Sequence, residues 1–78
     1  MPTVLRSGPY RFYFYANDRG EPPHVHVERD DSRAKFWLSP VRLFESSGFG
    51  RPEINKLRAL VGDNEAEFLR TWHEFFGH

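Results

Sequence analysis

The chain has 78 residues, one small domain's worth, and a chain this short buries only roughly 60% of the surface its unfolded form exposes. It contains no cysteine, which excludes disulfides and thiolate zinc sites, the staples that small domains often use. Its 11 basic and 11 acidic residues balance, which argues against a module that coats nucleic acid or anionic membrane by charge alone. The core must therefore carry the fold, and eight Phe, three Tyr and two Trp supply unusually large rings for it. No apolar run has the length of a signal peptide or a membrane span, so the expectation is a soluble cytoplasmic protein.

The chain reads as one domain, with a β part over residues 1–45 and a helical part over 50–76. Thr3 to Arg6 is the first expected strand, followed by the turn cluster Ser7-Gly8-Pro9. Tyr10 to Tyr15 is the strongest strand, because aromatic residues favour a pleated surface. Asn17 to Gly20 reads as a polar loop, and Pro22-Pro23 stiffens the chain in an extended form. His24 to Arg29 is the third strand, Asp30-Asp31-Ser32 a tight turn, and Ala34 to Leu38 the fourth strand. Short connections make neighbouring strands antiparallel. Val41 to Glu45 fits either an edge strand or an extended connector.

Beyond Gly50 the apolar spacing becomes helical. Ile54, Leu57, Leu60 and Val61 form one stripe, and Phe68, Leu69, Trp72, Phe75 and Phe76 form another. Pro52 and Glu53 suit the first turn of a helix. Gly62 is the expected left-handed end of the first helix, and Asn64 with Glu67 the capping box of the second. One kinked helix is the alternative. The fold class is thus α+β: an antiparallel sheet of about four strands, followed by two C-terminal helices packed on one face.

Side chains alternate across a strand, which sorts them into two faces. Phe12, Phe14, Val25, Val27, Ala34, Phe36 and Leu38 share an apolar face that should receive the helices. Arg11, Tyr13, Tyr15, His24, His26, Glu28, Lys35 and Trp37 share the other. Strand-forming rings and cross-strand charge pairs account for such a face without any function. A ligand-binding face accounts for it equally well.

The tightest constellation is Pro22-Pro23-His24-Val25-His26-Val27-Glu28, which puts His24, His26 and Glu28 on one side of one strand. Three chemistries suit it. His24, His26 and Glu28 are standard ligands for zinc or iron, with Asp18, Asp30 and Asp31 in turns that could approach, although the spacing singles out none of them. Metal-free acid–base chemistry on RNA is the second. There His26 is the general base, His24 or Glu28 its partner, Arg11 and Lys35 the phosphate holders, and Tyr13, Tyr15 and Trp37 the stacking platforms. Carboxylate-rich turns count against that reading, since they repel a phosphate backbone. The third is structural: His24 packs on Trp37 or bonds a backbone carbonyl, and His26 pairs with Glu28 or a cross-strand tyrosine. Near the C-terminus Trp72 continues the helix stripe, His73 lies off it, and His78 is expected to be disordered.

The residues Met1 to Arg6, Tyr10 to Tyr15, Glu21 to Glu28, Ala34 to Leu38 and Trp72 to Gly77 together resemble a small bacterial family, domain of unknown function 4160. The resemblance runs over nearly the whole chain, and its most specific part is Pro22 to His26. Gly50 departs from the small polar residue often found before the first helix. The resemblance implies small accessory genes, frequently paired with a second small protein in the manner of toxin–antitoxin modules. It supplies no catalytic residues.

Three functional expectations follow. The first is a toxin–antitoxin-like component whose open sheet face binds or cleaves RNA without a metal or other cofactor. The second is a non-catalytic interaction module, docking a cognate protein encoded nearby or a second copy of itself, with Thr3 to Arg6 and Val41 to Glu45 as candidate edges. The third is a small metalloprotein holding zinc or iron at His24, His26 and Glu28. No membrane partner is expected.

Overall fold

A computed structural model describes residues 3–77 and shows a five-stranded antiparallel meander followed by two helices. The strands are β1 (Thr3–Ser7), β2 (Tyr10–Tyr13), β3 (His24–Arg29), β4 (Ser32–Trp37) and β5 (Arg42–Ser47). They lie side by side in chain order; short turns join β1 to β2, β3 to β4 and β4 to β5, and residues 14–23 link β2 to β3. The stretch around Val41 to Glu45 is therefore a paired edge strand, not a connector. Ser32 opens β4, so the preceding turn is tighter than the sequence suggests, with Asp30 in a left-handed conformation at φ 55°.

Two elements differ from expectation more usefully. β2 ends at Tyr13, and Ala16–Gly20 is a 3-10 turn instead of an irregular loop. Asp18 causes the turn: its carboxylate Oδ2 accepts the Tyr15 backbone N–H at 2.8 Å, and its own N–H donates to the Tyr15 carbonyl at 3.0 Å. This local alternative to the strand ladder pulls the chain off the sheet and folds it back over the polar face.

The helices α1 (Arg51–Asp63) and α2 (Glu65–Phe76) are separate, joined by Asn64 alone. Gly62 does not terminate α1. It lies inside the helix, and its φ is not among the positive ones. Asn64 forms no side-chain cap; its Nδ2 donates back to the Leu60 carbonyl at 2.8 Å. With one residue between the helices, the side chain is better placed to satisfy the end of α1 than the start of α2. Gly77 supplies the left-handed end of α2 at φ 77°.

The apolar face is as the alternation predicts. All seven of its residues are buried, as are Ile54, Leu57 and Val61 of α1 and Phe68, Trp72 and Phe76 of α2. Phe12 meets Phe68 at 5.5 Å and Phe14 meets Trp72 at 5.2 Å between ring centres. Phe75, one position from Phe76, sits off the stripe and is exposed. One polar clasp pins α1 to the sheet. Arg29 at the end of β3 donates to both Glu53 carboxylate oxygens at 2.8 Å, and Tyr10 Oη donates to Glu53 at 2.7 Å. His78 lies outside the described residues.

Candidate functional site

On the polar face, the cross-strand register aligns Tyr13, His26, Lys35 and Glu45 in one row. A second row aligns Arg11, Glu28, Arg33 and Ser47. His24 opens β3 opposite Trp37. The residues singled out from the sequence thus share a face, but that face is not open throughout. Tyr13 is 1% exposed and His24 0%. Both expectations of exposure are corrected, for identifiable reasons. Tyr13 is covered by the Arg11 guanidinium, 4.5 Å above its ring, and by the edge of Tyr15 at 5.2 Å. His24 is enclosed by Trp72 of α2 at 5.1 Å, by Trp37 at 5.5 Å and by the 3-10 turn that carries Asp18.

That turn creates the centre of the site. Asp18 is itself 6% exposed, and its Oδ2 lies 3.0 Å from His26 Nε2 and 3.2 Å from His24 Nε2. The three donor atoms all lie within 4.8 Å of one another. His26 Nε2 donates a hydrogen bond to the carboxylate. His24 makes no such bond: its Nδ1 donates to the Pro22 carbonyl oxygen at 2.9 Å, which leaves Nε2 as the ring nitrogen that faces Asp18. That nitrogen is buried and without a hydrogen bond, 3.2 Å from the carboxylate.

His26 is half-buried, stacked on Tyr13 at 5.3 Å and edged by Tyr15 at 4.6 Å. Burial pushes its pKa below the ordinary imidazole value, against the opposing pull of Asp18, so the ring is neutral near pH 7. Burial also raises the Tyr13 hydroxyl above its usual range, helped by its contact with Tyr15. Lys35 donates to Glu21 at 2.6 Å and holds that carboxyl below its ordinary value.

Glu28 is not brought to the histidines. It pairs with Arg11 at 3.2 Å, and Arg11 also donates to Thr3. Asp30 and Asp31 lie in the β3–β4 turn, and Asp30 pairs with Arg29. Asp18 is therefore the carboxylate that the fold selects. Only its position in a polar turn marked it in the sequence, and the contact that matters is between segments with no shared periodicity. The structural contacts anticipated for His24, on Trp37 and on a backbone carbonyl, are both present.

Beside the trio a cleft of about 330 Å³ opens on the same face. Tyr13, Tyr15 and His26 line one side, and Arg33, Lys35 and the β5 residues Glu45, Ser46 and Ser47 line the other.

These features define a small α+β domain with a two-histidine, one-carboxylate cluster at the start of its third strand. The chain belongs to the family described as Domain of unknown function (DUF4160), whose model matches residues 10–73. No curated protein and no solved structure matches the chain. No helix among the described residues is long and apolar enough to cross a membrane.

Proposed function

We propose that this protein binds a divalent transition metal ion through Asp18 Oδ2, His24 Nε2 and His26 Nε2. The observation that carries the reading is the state of His24. A fully buried imidazole nitrogen facing a carboxylate at 3.2 Å without a hydrogen bond is a costly pair that a cation between them would satisfy. Its other nitrogen donates to a backbone carbonyl, the outer contact that commonly fixes the tautomer of a metal-bound histidine. Donors about 2.0–2.2 Å from one ion stand about 3.0–3.4 Å apart in cis positions, and both carboxylate-to-histidine separations are in or beside that range.

Two nitrogens and one oxygen suit zinc or iron(II) and leave coordination positions for a further ligand. Binding through His26 Nε2 would shift that ring's proton to Nδ1, and a proton competes with the metal for the ring in acid, so metal uptake is coupled to pH. The test is calorimetric titration of untagged protein with zinc and iron(II), alongside elemental analysis. One equivalent is expected, lost in His24→Ala and Asp18→Asn with the fold retained by circular dichroism. A folded wild-type protein that takes up neither ion overturns the reading.

A metal-free reading on RNA draws support from one observation: His26, neutral near pH 7, lines a cleft with Tyr15 and Lys35. A general base needs that protonation state. The toxin–antitoxin-like pairing implied by the family resemblance would supply RNA or a cognate protein in this reading. The burial of His24 and the engagement of Arg11 by Glu28 weaken it. Cleavage of single-stranded RNA by chelator-treated protein, lost in His26→Ala, is its expected signature.

A further inference from the structure

We infer that the cleft beside the trio binds a phosphate-bearing small molecule, with the Arg33 guanidinium and the Ser47 hydroxyl, its partner in the register, as its oxyanion-binding groups. This deepens the metal reading and rests on it, because His26 belongs to both the trio and the cleft wall.

The argument starts from charge. Arg33 lines the cleft, is exposed, and has no ion pair or side-chain hydrogen bond among the described residues. Its natural partner is Glu28, directly across in register. That carboxylate is held instead by Arg11 at 3.2 Å on the far side. Arg33 therefore presents a planar set of N–H donors with nothing to accept them, a geometry suited to two oxygens of one phosphate group.

The lining chemistry points the same way. Ser47 and Tyr15 bring hydroxyls, and Lys35 brings an ammonium with one carboxylate partner, Glu21. A wall rich in donors matches a ligand rich in acceptors. Glu45 is the one anionic lining residue, and it lies beside Lys35 in the register. A divalent ion on the trio adds positive charge next to the cleft and offsets Glu45. The half-buried Tyr15 ring supplies an apolar wall for the organic part of the ligand.

The experiment is a titration of isotope-labelled protein with phenyl phosphate, followed by amide and guanidinium resonances, with and without one equivalent of zinc. Saturable shifts are expected at Arg33 and Ser47 in the zinc-loaded protein. Arg33→Met should weaken binding at least tenfold while zinc stoichiometry is unchanged, and phenol should produce no saturable shift. Absence of saturable shifts at these residues in zinc-loaded protein, or equal affinity in Arg33→Met, overturns the inference and leaves the metal reading standing. Failure of zinc uptake overturns the metal reading instead. The zinc-free titration then decides the cleft: Arg33-dependent saturation supports it and none overturns it.

Discussion

His24 Nε2 and Asp18 Oδ2 face each other across 3.2 Å, buried, with no hydrogen bond between them. The arrangement follows from two local decisions. The Pro22 carbonyl accepts a hydrogen bond from His24 Nδ1–H, and the Tyr15 N–H pins the carboxylate. Each decision satisfies a backbone group, and together they leave the facing pair on which the metal proposal rests.

The carboxylate in the trio distinguishes this geometry from the one that strand spacing suggests. Asp18→Asn should weaken zinc binding by more than the roughly 10–100-fold typical of losing an outer-shell partner. Glu28→Gln should leave it unchanged, since Glu28 is held by Arg11. Parallel titrations of the two variants check this, and a stronger effect of Glu28→Gln would place the metal elsewhere on β3.

Acid should destabilise the metal-free protein through His26. Its native pKa is depressed below the ordinary 6.5, chiefly by burial. Between that ordinary value and the lowered native one, the unfolded chain binds the proton and the native chain does not. The contribution is therefore complete above pH 6.5 and lost as pH falls through the lowered value. Urea midpoints measured from pH 7.5 downward should decline in this window, and His26→Gln should flatten the decline.

Gly62 offers a stabilising substitution. It lies within α1, and a Cβ placed there meets nothing within 4 Å. Gly62→Ala should raise stability by about 0.5–1 kcal/mol by reducing the freedom of the unfolded chain. Chemical denaturation measures it. A loss of stability would mean that the residue needs the left-handed conformation after all.

Trp72 joins the core to the site. It is fully buried, touching Phe14, Phe76 and His24. Trp72→Ala should cost about 3–5 kcal/mol, enough to unfold a domain of this size. Its indole nitrogen is buried without a hydrogen-bond partner, so Trp72→Phe should cost less than the alanine variant and retain the fold. Thermal melts of the two variants separate ring volume from the polar N–H.

Much of this architecture is legible along the chain. The alternation over Phe12–Phe14, His24–Glu28 and Ala34–Leu38 sorts two faces, because strand side chains obey a period of two whatever packs on them. The stripes at Ile54–Val61 and Phe68–Phe76 locate two helices, because burial enforces the helical period. Where local hydrogen bonds compete, pattern is a poorer guide. Asn64 looks like a cap and instead closes the preceding helix, and Gly62 looks like a terminus and is interior.

The sequence by itself therefore determined a cysteine-free α+β domain and a strand that holds His24 and His26 on one side. Only the tertiary structure decided what stands opposite them. A 3-10 turn brings in Asp18 and the packing of α2 buries His24, while the register gives Glu28 to Arg11 and leaves Arg33 at the cleft. Periodicity reports which face a side chain occupies. It carries no information about which distant segment folds over that face, because that contact is set by the packing of the whole chain.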